Sequence, residues 1–376
     1  MNWREISIVG MPFRVALVTF GVGLVVVSIV ALRGRALRWG ARVLAFLVAI
    51  LCVGAQINAH YAYFPTVGAL LGRRAADQVS AGTFQQLEAQ YVRSIGPHFR
   101  SYGRLAVSER KDALPVRGVV IAWRFPPTVS HFPQRAGEVY LPPIWFENPH
   151  PHLPVIELLH GSPGSPADWT RGGFADLTAD AYASTHGGFA PILVMPDVNG
   201  AHWTSDSECV NGVQGNAETY LTVDVRNAVV SAFDASPTAW VVAGLSEGGS
   251  CALQMALRHP NLFVAAGDFG GEDHPYVSGG PSHLFFGSTT AQLTAAEATY
   301  DPRVLLGHWH GRLKPALAFA VGRSDGVRAH EYRLYERAKA DGFTATFTTY
   351  AGAHSFRVWS RCLSGSFVWM TSYLTG

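Results

Sequence analysis

The sequence predicts an α/β chain with a mostly parallel central sheet, preceded by an N-terminal transmembrane helical hairpin. Three observations carry that expectation. Short apolar runs at 155–159, 192–195, 240–243, 316–321 and 345–350 alternate with helix-forming stretches, the pattern of a parallel sheet covered on both faces. The run 240–243 leads into Gly244-Leu245-Ser246-Glu247-Gly248 and then into a second apolar stretch, 251–257, so a strand turns sharply into a helix at Ser246. Finally, 48% of the 376 residues are hydrophobic and only 15% are charged, with the apolar excess at the N-terminus, a bias that a purely soluble domain does not show.

In chain order, residues 15–32 form an uncharged apolar run long enough to cross a bilayer. Residues 43–59 form a second run ending in the polar Gln56 and Asn58; spanning is favoured over an interfacial position. Arg33, Arg35, Arg38 and Arg42 lie between or at the edge of the runs with no acidic residue, which retains that loop on the cytoplasmic side and turns both termini outward. A cleavable signal peptide competes, but the length of the first run and the prompt second one argue for a retained anchor. The expected organisation is a membrane anchor over 1–60, a helical connector over 61–114 with a helix around 83–95, and a catalytic domain over 115–376. That domain is expected to be extracytoplasmic on a multi-pass cell-membrane protein.

The strands at 119–123 and 138–141 are each closed by prolines and suggest an antiparallel entry to the sheet. Of the four cysteines, Cys52 falls in the second apolar run. Cys209, Cys251 and Cys362 lie in the globular part, where an oxidising compartment permits one disulfide. Cys209 with Cys251 is the favoured pair because both lie near the Ser246 turn, and the connectivity stays open. A net charge of +2, with no basic cluster interleaved with aromatics in the C-terminal three-quarters of the chain, sets nucleic acid aside. No phosphate-binding Gly-rich loop is present, so no nucleotide cofactor is implied. His308-Trp309-His310 has no carboxylate or cysteine placed to complete a metal site, and neither metal nor cofactor is expected.

An activated serine needs a base, and the base needs an orienting acid. In strand-to-helix serine sites these follow the nucleophile in the order acid, then histidine. Ser246 is the candidate nucleophile. Asp325 follows the strand 316–321 in Gly322-Arg323-Ser324-Asp325-Gly326, and His354 follows the strand 345–350 in Gly352-Ala353-His354-Ser355. Glu331, six residues beyond Asp325 at the start of a helix, is the alternative acid. The tetrahedral intermediate also requires N–H donors; the backbone of Glu247 supplies one and that of Ser162, in the loop after Leu158-Leu159-His160-Gly161, is the candidate for the other. His160 is expected to pack or hydrogen-bond beneath that loop. Glu272-Asp273-His274 reads equally as pocket rim or solvated turn, and Asp168-Trp169 as acyl pocket or core.

Taken jointly, these residues resemble the esterase branch of the α/β-hydrolases, which holds S-formylglutathione hydrolase, feruloyl esterases and mycobacterial mycolyltransferases. The likeness begins near Arg117 and rests on Val139-Tyr140-Leu141-Pro142-Pro143, Leu158-Leu159-His160-Gly161, Met195-Pro196-Asp197, Glu218-Thr219-Tyr220, Gly244 to Gly249, His259-Pro260 and Gly352 to Trp359. It implies an α/β-hydrolase fold, a nucleophile at Ser246, a base at His354 and oxyanion N–H groups at Ser162 and Glu247. It leaves the acid open between an aspartate placed like Asp325 and a helical glutamate nearer Glu331. Phe356 stands where the family often has Trp, and the apolar hairpin resembles membrane-anchored esterase-like proteins of actinobacterial envelopes. The implied activity is serine esterase chemistry through an acyl-enzyme, on a small-molecule or lipid ester substrate, with membrane lipid around the hairpin. The alternatives are acyl transfer to a sugar hydroxyl and a catalytically silent binding module.

Overall fold

The computed structural model describes residues 6–30, 34–71, 116–147, 149, 151–202 and 205–374, with the backbone of 78–80. The helix expected around 83–95 lies outside the described residues. The chain divides into two compact units, 1–75 with 355–357 and 76–354 with 358–376.

The first unit is built on two helices, Met11–Val30 and Arg35–Tyr61, both long and apolar enough to cross a membrane. They run antiparallel. A methyl added at Gly21 would lie 2.9 Å from Val48 Cγ1, and Arg14 Nη1 donates to Gln56 Oε1 at 2.7 Å. Most of their large apolar side chains are exposed. The second helix ends where Ala62 adopts a left-handed conformation, and Asn58 closes the turn by donating to the Phe64 carbonyl and accepting its N–H, both at 2.8 Å.

Among the described residues, the second unit contains a nine-stranded sheet. Its strands are β1 Gln78–Ser80, β2 Val119–Trp123, β3 Gly137–Leu141, β4 Val155–Leu159, β5 Ile192–Met195, β8 Trp240–Leu245, β9 Phe263–Phe269, β10 Ala316–Gly322 and β11 Ala345–Tyr350; β6 Asn211–Gly212 and β7 Gly215–Asn216 form a separate small hairpin. The order is β1-β2-β3-β5-β4-β8-β9-β10-β11. Only β2–β3 and β3–β5 pair antiparallel within it, so the antiparallel entry is present and the rest is the α/β-hydrolase type of parallel sheet. From β4 the chain moves to one side, to β5, whereas from β8 it moves to the other, to β9. The crevice at the carboxyl ends of β4 and β8 is therefore the switch point where α/β sheets place their chemistry.

Strands β4, β5 and β8 are buried along their full length, as expected for apolar runs covered on both faces. Edge strand β11 is only partly buried and alternates. Strand β9 is missing from the sequence reading because Phe-Val-Ala-Ala-Gly-Asp-Phe contains Gly267 and Asp268, residues with poor strand propensity. Packing overrides propensity here: a methyl at Gly267 would lie 3.0 Å from Ala243 Cβ on the adjacent strand. Cys209 and Cys251 form a disulfide, with Cα atoms 5.6 Å apart, while Cys52 and the buried Cys362 are free thiols.

Candidate active site

Ser246 joins β8 to the helix Glu247–Arg258 with φ 55° and ψ −129°, a backbone conformation that L-residues adopt only when their surroundings impose it. The flanking glycines allow it. A methyl at Gly244 would collide with the Gly248 carbonyl, and one at Gly248 with the carbonyls of Leu159 and His160. The turn is pinned by the Ser246 N–H donating to the Phe269 carbonyl at 3.1 Å.

The last two parallel strands deliver the partners. Ser246 Oγ lies 2.9 Å from His354 Nε2, and His354 Nδ1 lies 2.9 Å from Asp325 Oδ2. With the proton on Nδ1, the ring donates to Asp325 and leaves Nε2 free to accept the serine proton. Asp325 is held in turn by the Val327 N–H on Oδ1 at 3.2 Å. The Trp359 ring meets the imidazole edge-on, centroids 4.8 Å apart. Gly270, at φ +77°, passes over the Asp325–His354 bond; a methyl there would lie 3.5 Å from Asp325 Oδ2 and 3.6 Å from His354 Nδ1.

Glu331 takes a different position. It sits in the first turn of the helix Arg328–Ala340 and is fully buried. Its Oε1 accepts the N–H groups of Gly270 and Gly271 at 2.5 and 3.2 Å. Asp268 Oδ1 shares the Gly271 N–H at 2.9 Å. Burial, reinforced for Glu331 by the neighbouring Asp268, lifts both carboxyls above their ordinary range. Glu331 therefore supports the Gly270 loop, and Asp325 is the carboxylate that faces the imidazole.

Glu247 is the first residue of its helix, so its N–H has no intrahelical acceptor and points out of the N-terminus. The Ser162 loop leaves β4 immediately beside it, since a methyl at Gly161 would fall 2.9 Å from Ser246 Cβ. The two expected N–H donors thus lie on segments that meet at Ser246. His160 is fully buried, with Nδ1 2.8 Å from the Gly161 carbonyl and Nε2 3.2 Å from Asp197 Oδ1, beneath the loop as expected.

Other sequence candidates fall outside this line. Trp169 is core, its Nε1 donating to the Leu159 carbonyl at 2.9 Å. Asp273 is buried in an ion-pair cluster with His274, Arg303 and Arg333 rather than solvated. His308 Nδ1 meets the Val304 carbonyl of its own helix, its sole side-chain partner among the described residues. Sequence reasoning missed Asp268 and Gly270, and also Asn199, whose Nδ2 donates to Glu247 Oε2 at 2.7 Å. The pair Gly270-Gly271 was the only local signal for any of them.

A family model described as "Putative esterase" matches residues 133–370. The chain belongs to this esterase family. It is accordingly a hydrolytic enzyme. Among curated proteins, an uncharacterized protein of Corynebacterium glutamicum is 28% identical over 333 residues, covering 86% of this chain and 74% of the relative. Among solved structures, a ferulic acid esterase superposes with TM-score 0.55 at 20% identity, over 64% of this esterase and 92% of that chain. FphF, a fluorophosphonate-binding serine hydrolase of Staphylococcus aureus, superposes with TM-score 0.55 at 19% identity, over 68% and 98% of the two chains. An S-formylglutathione hydrolase of Agrobacterium tumefaciens does so with TM-score 0.55 at 20% identity, over 69% and 96%. These likenesses establish the shared fold.

Proposed function

We propose that this esterase cleaves carboxylic esters through an acyl-enzyme on Ser246, at the outer side of a membrane in which residues 1–60 are anchored. One observation carries the reading: the unbroken line Ser246 Oγ, His354 Nε2, His354 Nδ1, Asp325 Oδ2, with both hydrogen-bonding distances 2.9 Å. Ser246 Oγ attacks the ester carbonyl carbon while its proton passes to His354 Nε2. Asp325 holds the ring and stabilises the imidazolium. The negative oxygen of the tetrahedral intermediate is met by the N–H groups of Glu247 and Ser162, and a side-chain donor of this kind typically contributes roughly 2.7–4 kcal/mol. His354 returns the proton to the departing alcohol. Water, deprotonated by the same imidazole, then releases the acid and restores Ser246.

Within this reading residues 61–114 connect the anchor to the catalytic domain at 115–376. The basic loop around Arg35, Arg38 and Arg42 faces the cytoplasm, so the domain lies outside. Alkaline phosphatase fused after Gly376 is therefore active in cells, and an inactive, stably expressed fusion reverses the orientation.

A fluorophosphonate probe tests the chemistry, since it labels only an activated serine. The full-length chain in detergent is expected to be labelled, and Ser246→Ala to be unlabelled and inactive on p-nitrophenyl esters. Labelling that survives in Ser246→Ala removes Ser246 from the mechanism. Ester products appearing on an added sugar would change the acceptor from water to a hydroxyl and make the enzyme an acyltransferase.

A further inference from the structure

Behind the Ser246 turn lies a group of carboxylates that the proposed chemistry does not use. Asp206 and Glu208 come from the loop before β6, and Glu247 opens the helix after Ser246. One carboxylate oxygen from each lies within 4.8 Å of those from the other two. Glu208 is 4% exposed and Glu247 6%. Among the described residues, no Lys, Arg or His forms an ion pair with any of them. The hydrogen bonds that Glu247 receives come from neutral donors: Asn199 Nδ2 on Oε2 at 2.7 Å and the Glu208 N–H on Oε1 at 3.2 Å.

A second feature is independent of the clustering. Glu208 Oε2 is buried with no hydrogen-bond partner, and so is Asp206 Oδ1. Orphaned carboxylate oxygens in a protein interior are destabilising unless a charge or a proton compensates them. Three carboxylates this close together repel one another when ionised, and a bound cation relieves that repulsion.

We propose that Asp206, Glu208 and Glu247 bind a divalent calcium ion. Calcium is a hard cation that takes oxygen ligands at about 2.3–2.6 Å in flexible geometry, so two oxygens across one ion can stand about as far apart as these do. Waters complete the coordination. The ion neutralises the orphaned oxygens and ties the Asp206–Glu208 loop to the start of the Ser246 helix. The Ser162 hydroxyl also lies close enough to Asp206 to favour its charged form. The ion therefore joins, through side chains, the two residues whose N–H groups receive the oxyanion. This coupling to catalysis rests on the serine-esterase reading, whereas the ion site rests on the carboxylates alone. The sequence, which implied no metal, hid the cluster because Glu208 and Glu247 stand 39 residues apart.

The test uses the full chain in detergent, stripped with EGTA. Calorimetric titration with calcium chloride is expected to show one ion per chain. The melting temperature should rise by several degrees and fluorophosphonate labelling of Ser246 should accelerate several-fold. Glu208→Gln and Asp206→Asn, checked for folding by circular dichroism, should each bind calcium at least tenfold more weakly. Wild-type protein that binds no calcium, binding undiminished in both variants, or a preference for magnesium overturns the site. Calcium binding without any labelling of Ser246 upholds the site and sinks the serine-hydrolase reading, while labelling without calcium binding does the reverse. Binding to which labelling is indifferent removes the coupling to the oxyanion donors.

Discussion

Gly161 backs directly onto Ser246: a methyl at Gly161 would fall 2.9 Å from Ser246 Cβ and 3.1 Å from the Leu245 carbonyl oxygen. The loop carrying Ser162 and the turn carrying Ser246 therefore touch through their backbones, with no room for a side chain between them. Any displacement of one segment moves the N–H groups relative to the hydroxyl.

Gly161→Ala follows from that contact. The added methyl must push the two segments apart, at roughly 1–3 kcal/mol of stability. We expect kcat/KM on p-nitrophenyl esters to fall about 10- to 100-fold, equivalent to about 1.4–2.8 kcal/mol of transition-state stabilisation, with the circular dichroism spectrum unchanged. Wild-type kinetics in a folded Gly161→Ala protein would show that the contact plays no part in catalysis.

The acid is decided by comparing two variants. Asp325 faces His354 Nδ1 at 2.9 Å, so Asp325→Asn should lower kcat/KM on the order of 10³- to 10⁴-fold by imposing the wrong imidazole tautomer. Glu331 accepts backbone N–H groups, and Glu331→Gln keeps an oxygen for that purpose. It should lower the melting temperature while holding kcat/KM within about tenfold, since one kept hydrogen bond preserves the loop. The opposite ranking of the two variants assigns the acid to Glu331.

Acid stability has an identifiable source in Asp197. Burial alone would raise this carboxyl, but hydrogen bonds from His160 and Arg135 outweigh it and hold the group down to about 2. A folded-state pKa below the unfolded value of about 3.9 contributes stability above about pH 4, which is lost as the pH falls toward 2. The contribution is about 2–3 kcal/mol at neutral pH. Urea unfolding of Asp197→Asn should show a deficit of that order at pH 7 that shrinks between pH 4 and pH 2. A deficit independent of pH would mean that the loss is one of packing rather than of charge.

The Cys209–Cys251 bridge closes a segment with a sequence separation of 42, and restricting the unfolded chain to that extent is worth roughly 2–4 kcal/mol. The double variant Cys209→Ala/Cys251→Ala should melt lower than wild type by several degrees. Dithiothreitol should lower the wild-type transition by a similar amount and leave the double variant unaffected. A transition in the double variant that still responds to reductant places the sensitive bond elsewhere.

Local features were legible in the sequence wherever sterics or burial act over a few residues. The apolar runs of β4, β5 and β8 announce strands covered on both faces, and the two runs before residue 62 announce long apolar helices. Gly244, Ser246 and Gly248 announce a sharp strand-to-helix turn because only glycine fits beside the carbonyls at that corner. Strand β9 was not legible, since Gly267 and Asp268 argue against it locally and only its place between β8 and β10 rescues it.

The sequence alone determined the class of sheet, the residue at its sharpest turn and the presence of a histidine and carboxylates after the last strands, because each depends on neighbours in the chain. Tertiary structure decided which carboxylate meets His354, which instead props the Gly270 loop, and that Asp206 and Glu208 close around Glu247. Those outcomes depend on strand order and helix rotation, which sum many weak contacts between distant segments. A displacement of one ångström or two exchanges one hydrogen-bond partner for another, and no local pattern of residues encodes so small a difference.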